Sequence, residues 1–141
     1  MVDLARRIAA EKENVNRALD NLRDAMGRRE KSTIELAAIA TFLHNIYNGI
    51  ENILKQVVKA KDAKIPKSET SHKDLLDLSV SIGIVPEKLS DQLYEYLTFR
   101  HFFVHAYGFM LEEMHLADLA TNIPDVWSQF VSVIESQSNT T

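Results

Sequence analysis

The sequence predicts an all-α protein, an antiparallel bundle of four to five helices, from three observations. Only four Gly and three Pro interrupt its 141 residues, and so few chain-breakers favour long helices over short strands joined by turns. Long segments repeat apolar residues at alternating three- and four-residue steps, the period of one helical face. No internal repeat and no convincing strand pattern is present.

Helix one is expected from Val2 to Met26, where Leu4, Ile8, Val15, Ala18, Leu22 and Ala25 form one apolar stripe between charged faces. Gly27 is its natural stop. Ser32 and Glu35 then have the capping-box spacing that starts a helix, with an earlier start over Arg28 and Arg29 as the alternative. Leu36, Ile39, Leu43, Ile46, Ile50, Ile53 and Val57 make the clearest seam in the chain. At 1.5 Å per residue each of these two helices spans roughly 40 Å. Residues 61–71, with Pro66 and several lysines, read as a mobile connection. Helix three is expected from His72 to Ile82, closed by Gly83 in the left-handed conformation. Pro86 suits the first turn of helix four, which runs to about Tyr107. Residues 110–120 read as a short helix or loop, and Pro124 as the opening of a last helix with Val126, Trp127, Phe130, Val131 and Ile134 inward. Residues 1–137 are read as one domain and 138–141 as a disordered tail.

Without cysteine the chain forms neither disulfides nor thiolate metal sites. The N-terminus is too charged for a signal peptide and the apolar run from Leu97 to Leu111 too short and too polar for a membrane span, so a cytoplasmic protein is expected. The formal net charge is −4, and residues 74–141 carry only Lys88 and Arg100 against ten acids. A general nucleic-acid binder is basic overall. RNA binding would therefore be local, drawing on Lys55, Lys59, Lys61, Lys64, Lys67 and the Arg28–Arg29 pair.

Arg100 is the residue out of place. The inward stripe of helix four reads Leu89, Leu93, Tyr96, Arg100, Phe103, Tyr107 and Met110. An unpaired guanidinium on an apolar face costs several kcal/mol, on the order given for buried ions. It must meet a carboxylate, line a wet cleft or bind an anion, and Glu51 on helix two is the obvious carboxylate. Tyr107 lies about 20° from Arg100 around a straight helix and His105 about 140°. One helix therefore does not easily aim Arg100 and His105 at one atom, whereas two helices across a dimer axis can.

The segment Arg100-His-Phe-Phe-Val-His105-Ala-Tyr107 reads R-x-x-x-x-H-x-Y and resembles the signature of HepT toxins in the HEPN superfamily. Tyr47-Asn-Gly-Ile-Glu51-Asn-Ile-Leu resembles the family's second-helix motif, residues 75–85 the approach to the signature, and Ile123-Pro-Asp-Val-Trp-Ser-Gln-Phe the closing helix. The resemblance spans roughly residues 40 to 135. Many relatives have Asn directly after the Arg, where this chain has His101. The resemblance implies a HEPN homodimer with facing motifs and metal-independent RNA cleavage by 2′-hydroxyl attack, on tRNA or another structured RNA. Arg100 and His105 would be catalytic, with Tyr107 positioning phosphate and Glu51 and His101 in support. His105 titrates near neutrality, as an acid–base catalyst must, and Arg100 offers a fork of donors to the phosphate. The partner implied is an MntA-type nucleotidyltransferase antitoxin that transfers AMP from ATP to Tyr107. No other cofactor is implied.

Plainer readings stand beside this one. A non-catalytic HEPN subunit presenting nucleotide or RNA to a nucleotidyltransferase is the alternative, and a purely structural helical dimer is a third. His101 and His105, four apart, share a face and the spacing allows a zinc pair. The chain has no H-E-x-x-H, and no metal is expected. Phe99, Phe102, Phe103 and Phe109 have the chemistry to stack bases, but aromatics at helical spacing more often form core or interface. His44 and His72 read as ordinary helix residues.

Overall fold

The computed structural model describes residues 2–29, 32–65, 71–104 and 116–138. They form five helices: α1 (Val2–Met26), α2 (Thr33–Ala60), α3 (Ser71–Ser81), α4 (Glu87–Val104) and α5 (Leu116–Ser138). All four other helices pack on α2. Its seam is the reason: Ile39, Leu43, Ile46, Ile50, Ile53 and Val57 are all buried. Residues Ala40, Tyr47, Leu54 and Val58 widen that seam into a face broad enough to receive several neighbours.

α2 begins where the capping box places it. Ser32 Oγ accepts from the Ile34 N–H at 3.2 Å, and the Ser32 N–H donates to Glu35 Oε2 at 3.0 Å. The Ser32 hydroxyl also donates to Glu35 Oε2, and this bond, with backbone bonds adding to it, holds the Glu35 carboxyl below its usual range. The helix does not extend back over Arg28 and Arg29. α1 stops at Gly27, whose N–H still donates to the Arg23 carbonyl at 3.0 Å. At the far end of α2, Asp62 adopts the left-handed conformation with φ 59°, one that Asp tolerates better than most side chains.

α3 is closed by Gly83, whose φ of 79° lies in the left-handed region. That turn lets the Ile84 N–H return to the Ser79 carbonyl at 2.9 Å. It also delivers Ile84 and Val85 into the core. The Pro86 carbonyl accepts from the Ser90 N–H at 3.0 Å and opens α4.

The last helix departs from expectation. It is already formed at Leu116, and Pro124 lies inside it. A proline within a helix removes one hydrogen bond and costs about 3 kcal/mol. Leu116, Ala120 and Ile123 are buried ahead of it, and Val126, Trp127, Phe130 and Ile134 continue the same face beyond it. Burial worth roughly 1.5–3 kcal/mol for each large apolar side chain offsets the missing bond. Side-chain bonds tie α5 to the bundle: Trp127 Nε1 donates to Asn16 Oδ1 at 3.0 Å, Tyr96 Oη donates to the Leu119 carbonyl at 2.8 Å, and Lys12 Nζ lies 3.3 Å from Glu135 Oε1. Among the described residues no helix is long and apolar enough to cross a membrane.

α1 packs tightly on α2 at Gly49, where an added Cβ would overlap Val15 Cγ2. Val15 is buried and β-branched, so it cannot swing aside. Gly49→Ala is therefore expected to destabilise the fold by about 1–3 kcal/mol through overpacking, despite the roughly 1 kcal/mol that Ala normally brings to a helix. Urea unfolding should show that the double variant Val15→Ala, Gly49→Ala is less destabilised than the two single changes added together. Simple additivity would mean that the two positions do not collide.

Candidate functional site

Arg100 lies in the last turns of α4, half-buried, on the side of the helix that meets α2. Its Nε–H donates to Asn48 Oδ1 at 2.9 Å. Asn48 in turn lies 3.0 Å from His44 Nε2, through its amide nitrogen. The His44 ring packs against Phe103, with centroids 5.3 Å apart and planes tilted by 46°. Phe103 stacks on Phe99 at 5.8 Å. Arg100, Asn48 and His44 thus form one polar thread along the α2–α4 junction, closed on one side by two aromatic rings.

Glu51 does not hold Arg100. Among the described residues no carboxylate pairs with that guanidinium, and its partner is the neutral amide one turn earlier. Glu51 is itself buried and is engaged elsewhere. Its Oε1 contacts His72 Nδ1 on α3 and lies 3.4 Å from Lys55 Nζ. Its charge also bears on the buried Tyr47 phenol. Burial, followed by the nearby Glu51 carboxylate, pushes that phenol far above the usual tyrosine value, with Arg100 opposing. Glu51 thus ties α2 to α3. Because Lys55 is committed to it, Lys55 is less available to a polyanion than Lys59, Lys61 and Lys64, which stand exposed at the end of α2.

The charge of Arg100 is felt on the other side too. Burial, then repulsion from Arg100, lowers the His44 pKa below its ordinary value of about 6.5. His44 Nδ1 and Glu51 Oε2 are buried without a hydrogen-bond partner among the described residues.

His101 stands exposed in the last turn of α4. His105 and Tyr107, with the expected end of helix four, lie outside the described residues, as do Lys67 and Phe109. Phe99 is core, buried behind Phe103, and is not a free platform for bases. No group of three His, Asp or Glu side chains placed to hold a metal ion occurs among the described residues. An open groove of about 620 Å³ between α4 and α5, lined by Tyr94, Thr98, Phe99, Phe102 and Leu119, lies on the opposite face of α4 from Arg100.

Asn48 and His44 were not singled out by pattern. Their signal is a polar pair four residues apart, hence on one helical face, flanking the apolar seam of α2. Only the packing of α4 shows that this flank is the one facing Arg100.

Residues 38–140 match the family model described as "HepT-like protein", a span that includes His44, Asn48, Glu51 and Arg100. No curated protein sequence matches the chain. The fold is shared with chains of solved toxin–antitoxin structures. A mutant of the MntA-HpeT pair superposes with TM-score 0.77 at 17% identity, covering 92% of this chain and 98% of that chain. A toxin–antitoxin with AMP-PNP gives 0.77 at 15% identity, covering 92% and 96%. A second MntA-HpeT mutant gives 0.77 at 16%, covering 92% and 98%. Identity that low carries the fold and not the chemistry.

The lowered His44 pKa fixes the sign of a pH effect. Below about pH 6.5 the unfolded chain takes up a proton on this residue that the folded chain resists, so stability falls as pH falls. Urea midpoints measured from about pH 7.5 to about pH 5.5 should drop more steeply in the wild type than in His44→Gln, which cannot titrate. Parallel profiles would show that His44 is not held neutral.

Proposed function

The chain belongs to the HepT-like protein family, and from this premise we propose that it is the toxin of a type VII toxin–antitoxin pair, a metal-independent endoribonuclease acting in the cytoplasm. The observation that carries the reading is Arg100: a half-buried cation, on an otherwise apolar helix face, held by a neutral amide. A carboxylate partner would cancel its charge. An amide satisfies one N–H and leaves the charge available to an anion. The family's signature adds His105 and Tyr107 within the next two turns of sequence.

In this reading the RNA supplies its own nucleophile. A base, His105 of one protomer, takes the proton of a 2′-hydroxyl, whose oxygen attacks the adjacent phosphorus. The bond to the 5′-oxygen breaks, leaving a 2′,3′-cyclic phosphate on one product. The leaving oxygen receives a proton, which completes the 5′-hydroxyl on the other. Arg100 donates to the phosphate oxygens as negative charge gathers on them, and Tyr107 positions the phosphate by its hydroxyl. Two copies of the chain face each other so that both motifs line one cleft. His101 and Glu51 lie beside this machinery, Glu51 by bracing α2 against α3. The substrate is tRNA or another structured RNA, met through local positive charge because the chain as a whole is acidic.

The solved relatives pair a toxin with an antitoxin, and one holds AMP-PNP, which supports control by a partner nucleotidyltransferase. Transfer of AMP from ATP to the Tyr107 hydroxyl, with release of pyrophosphate, would put bulk and negative charge where RNA phosphate must enter.

Expression without the partner is expected to arrest growth, and His105→Ala to relieve the arrest. Purified protein should cut RNA in excess chelator, leaving cyclic-phosphate and 5′-hydroxyl ends, and Arg100→Ala should lower the rate by at least about 100-fold. Harmless wild-type expression with no RNA cleavage would point instead to an accessory subunit. Mass spectrometry after incubation with the partner and ATP should find AMP on Tyr107 and none on Tyr107→Phe. Modification of another residue would reject this mode of control.

A further inference from the structure

The thread behind Arg100 has a direction. Asn48 gives its amide oxygen to the Arg100 Nε–H at 2.9 Å, so its amide nitrogen is the group that faces His44 Nε2 at 3.0 Å. An amide nitrogen only donates. His44 Nε2 must therefore accept, and an imidazole nitrogen accepts only when it carries no proton. The arrangement requires a neutral His44 with its proton on Nδ1. Phe103 packs against the same ring.

We propose that Asn48 and His44 are positioning residues for Arg100, a two-link relay that aims the guanidinium while the imidazole is neutral and releases it when the imidazole takes up a proton. The relay stands on the geometry; its consequence for catalysis rests on the nuclease reading above. Protonation would set an Nε2–H against the Asn48 amide nitrogen, donor against donor. A half-turn of the amide relieves that contact. The same half-turn presents the amide nitrogen to the Arg100 Nε–H, so the second bond is lost with the first.

The surroundings favour the neutral form. Arg100 is the charged group on α4 whose field reaches His44, and it acts with burial to oppose the imidazolium. Asn48 on α2 and Phe103 on α4, the other groups shown facing the ring, carry no charge. The device is thus set for full grip near neutrality and for release in acid.

The test is the Nε–H resonance of Arg100 in ¹⁵N-labelled full-length protein, assigned by its loss in Arg100→Lys. Near pH 7.5 the wild type should show a protection factor against solvent exchange of at least about tenfold, the scale of one hydrogen bond. Asn48→Ala should abolish it, and Asn48→Asp, which keeps an acceptor for Nε, should retain it. His44→Gln should also retain it, because the glutamine carbonyl accepts from Asn48 at every pH. Acidification should remove the protection in the wild type but not in His44→Gln. In RNA cleavage, Asn48→Ala should lower kcat about tenfold with little change in KM, and His44→Gln should extend activity toward acid. Protection that survives in Asn48→Ala, or an acid response identical in His44→Gln, overturns the relay. If the wild type cleaves no RNA the nuclease reading falls, and the resonance still decides the relay.

Discussion

A guanidinium set against the apolar face of a bundle must find an acceptor, because dry N–H groups on a cation are among the most expensive features a fold can carry. Here that acceptor is Asn48, and the choice of an amide matters as much as the bond. Glu51, less than one turn further along α2, would have satisfied the same donor and neutralised it. It is turned instead toward His72 and Lys55. α2 thus keeps its acid for structure and lends its amide to α4. The result is a positive charge fixed in place yet not spent on an internal partner.

The neighbouring residue explains why that placement is firm. Gly49 follows Asn48 directly and leaves no room for a side chain against Val15 of α1. The same turn of α2 is therefore clamped from one side by Val15 while it grips Arg100 on another. Tyr96, one turn before Arg100, bonds the Leu119 carbonyl of α5, so α4 is held at both of its inner flanks. Packing at native density leaves little slack around the guanidinium.

Features that depend on a few neighbouring residues were legible in the sequence. The bounds of α1, the capping box at Ser32 and Glu35, and the glycine closure of α3 are local chemistry, and the structure contains each of them. Pro124 misled because a local rule met a tertiary one: the burial of Leu116, Ala120 and Ile123 carries the helix through the proline. The partner of Arg100 was illegible for another reason. Asn48 and Glu51 both flank the seam of α2, three residues apart, and periodicity cannot say which flank α4 will cover. His44 was passed over because its role exists only through Asn48. The signature beyond Val104 was the easiest part to read as a motif, and His105 and Tyr107 fall outside the described residues.

The bond to Asn48 also limits how Arg100 can meet an anion. A guanidinium offers two forked edges to an oxyanion, one made by Nε with a terminal nitrogen and one made by the two terminal nitrogens. With Nε–H already donating to Oδ1, the first edge is taken. An oxyanion must come head-on to the tip of the side chain, along its long axis, and cannot lie flat against its flank. A lysine, which has a single point of charge and no second edge, could not reproduce that approach even at the same distance.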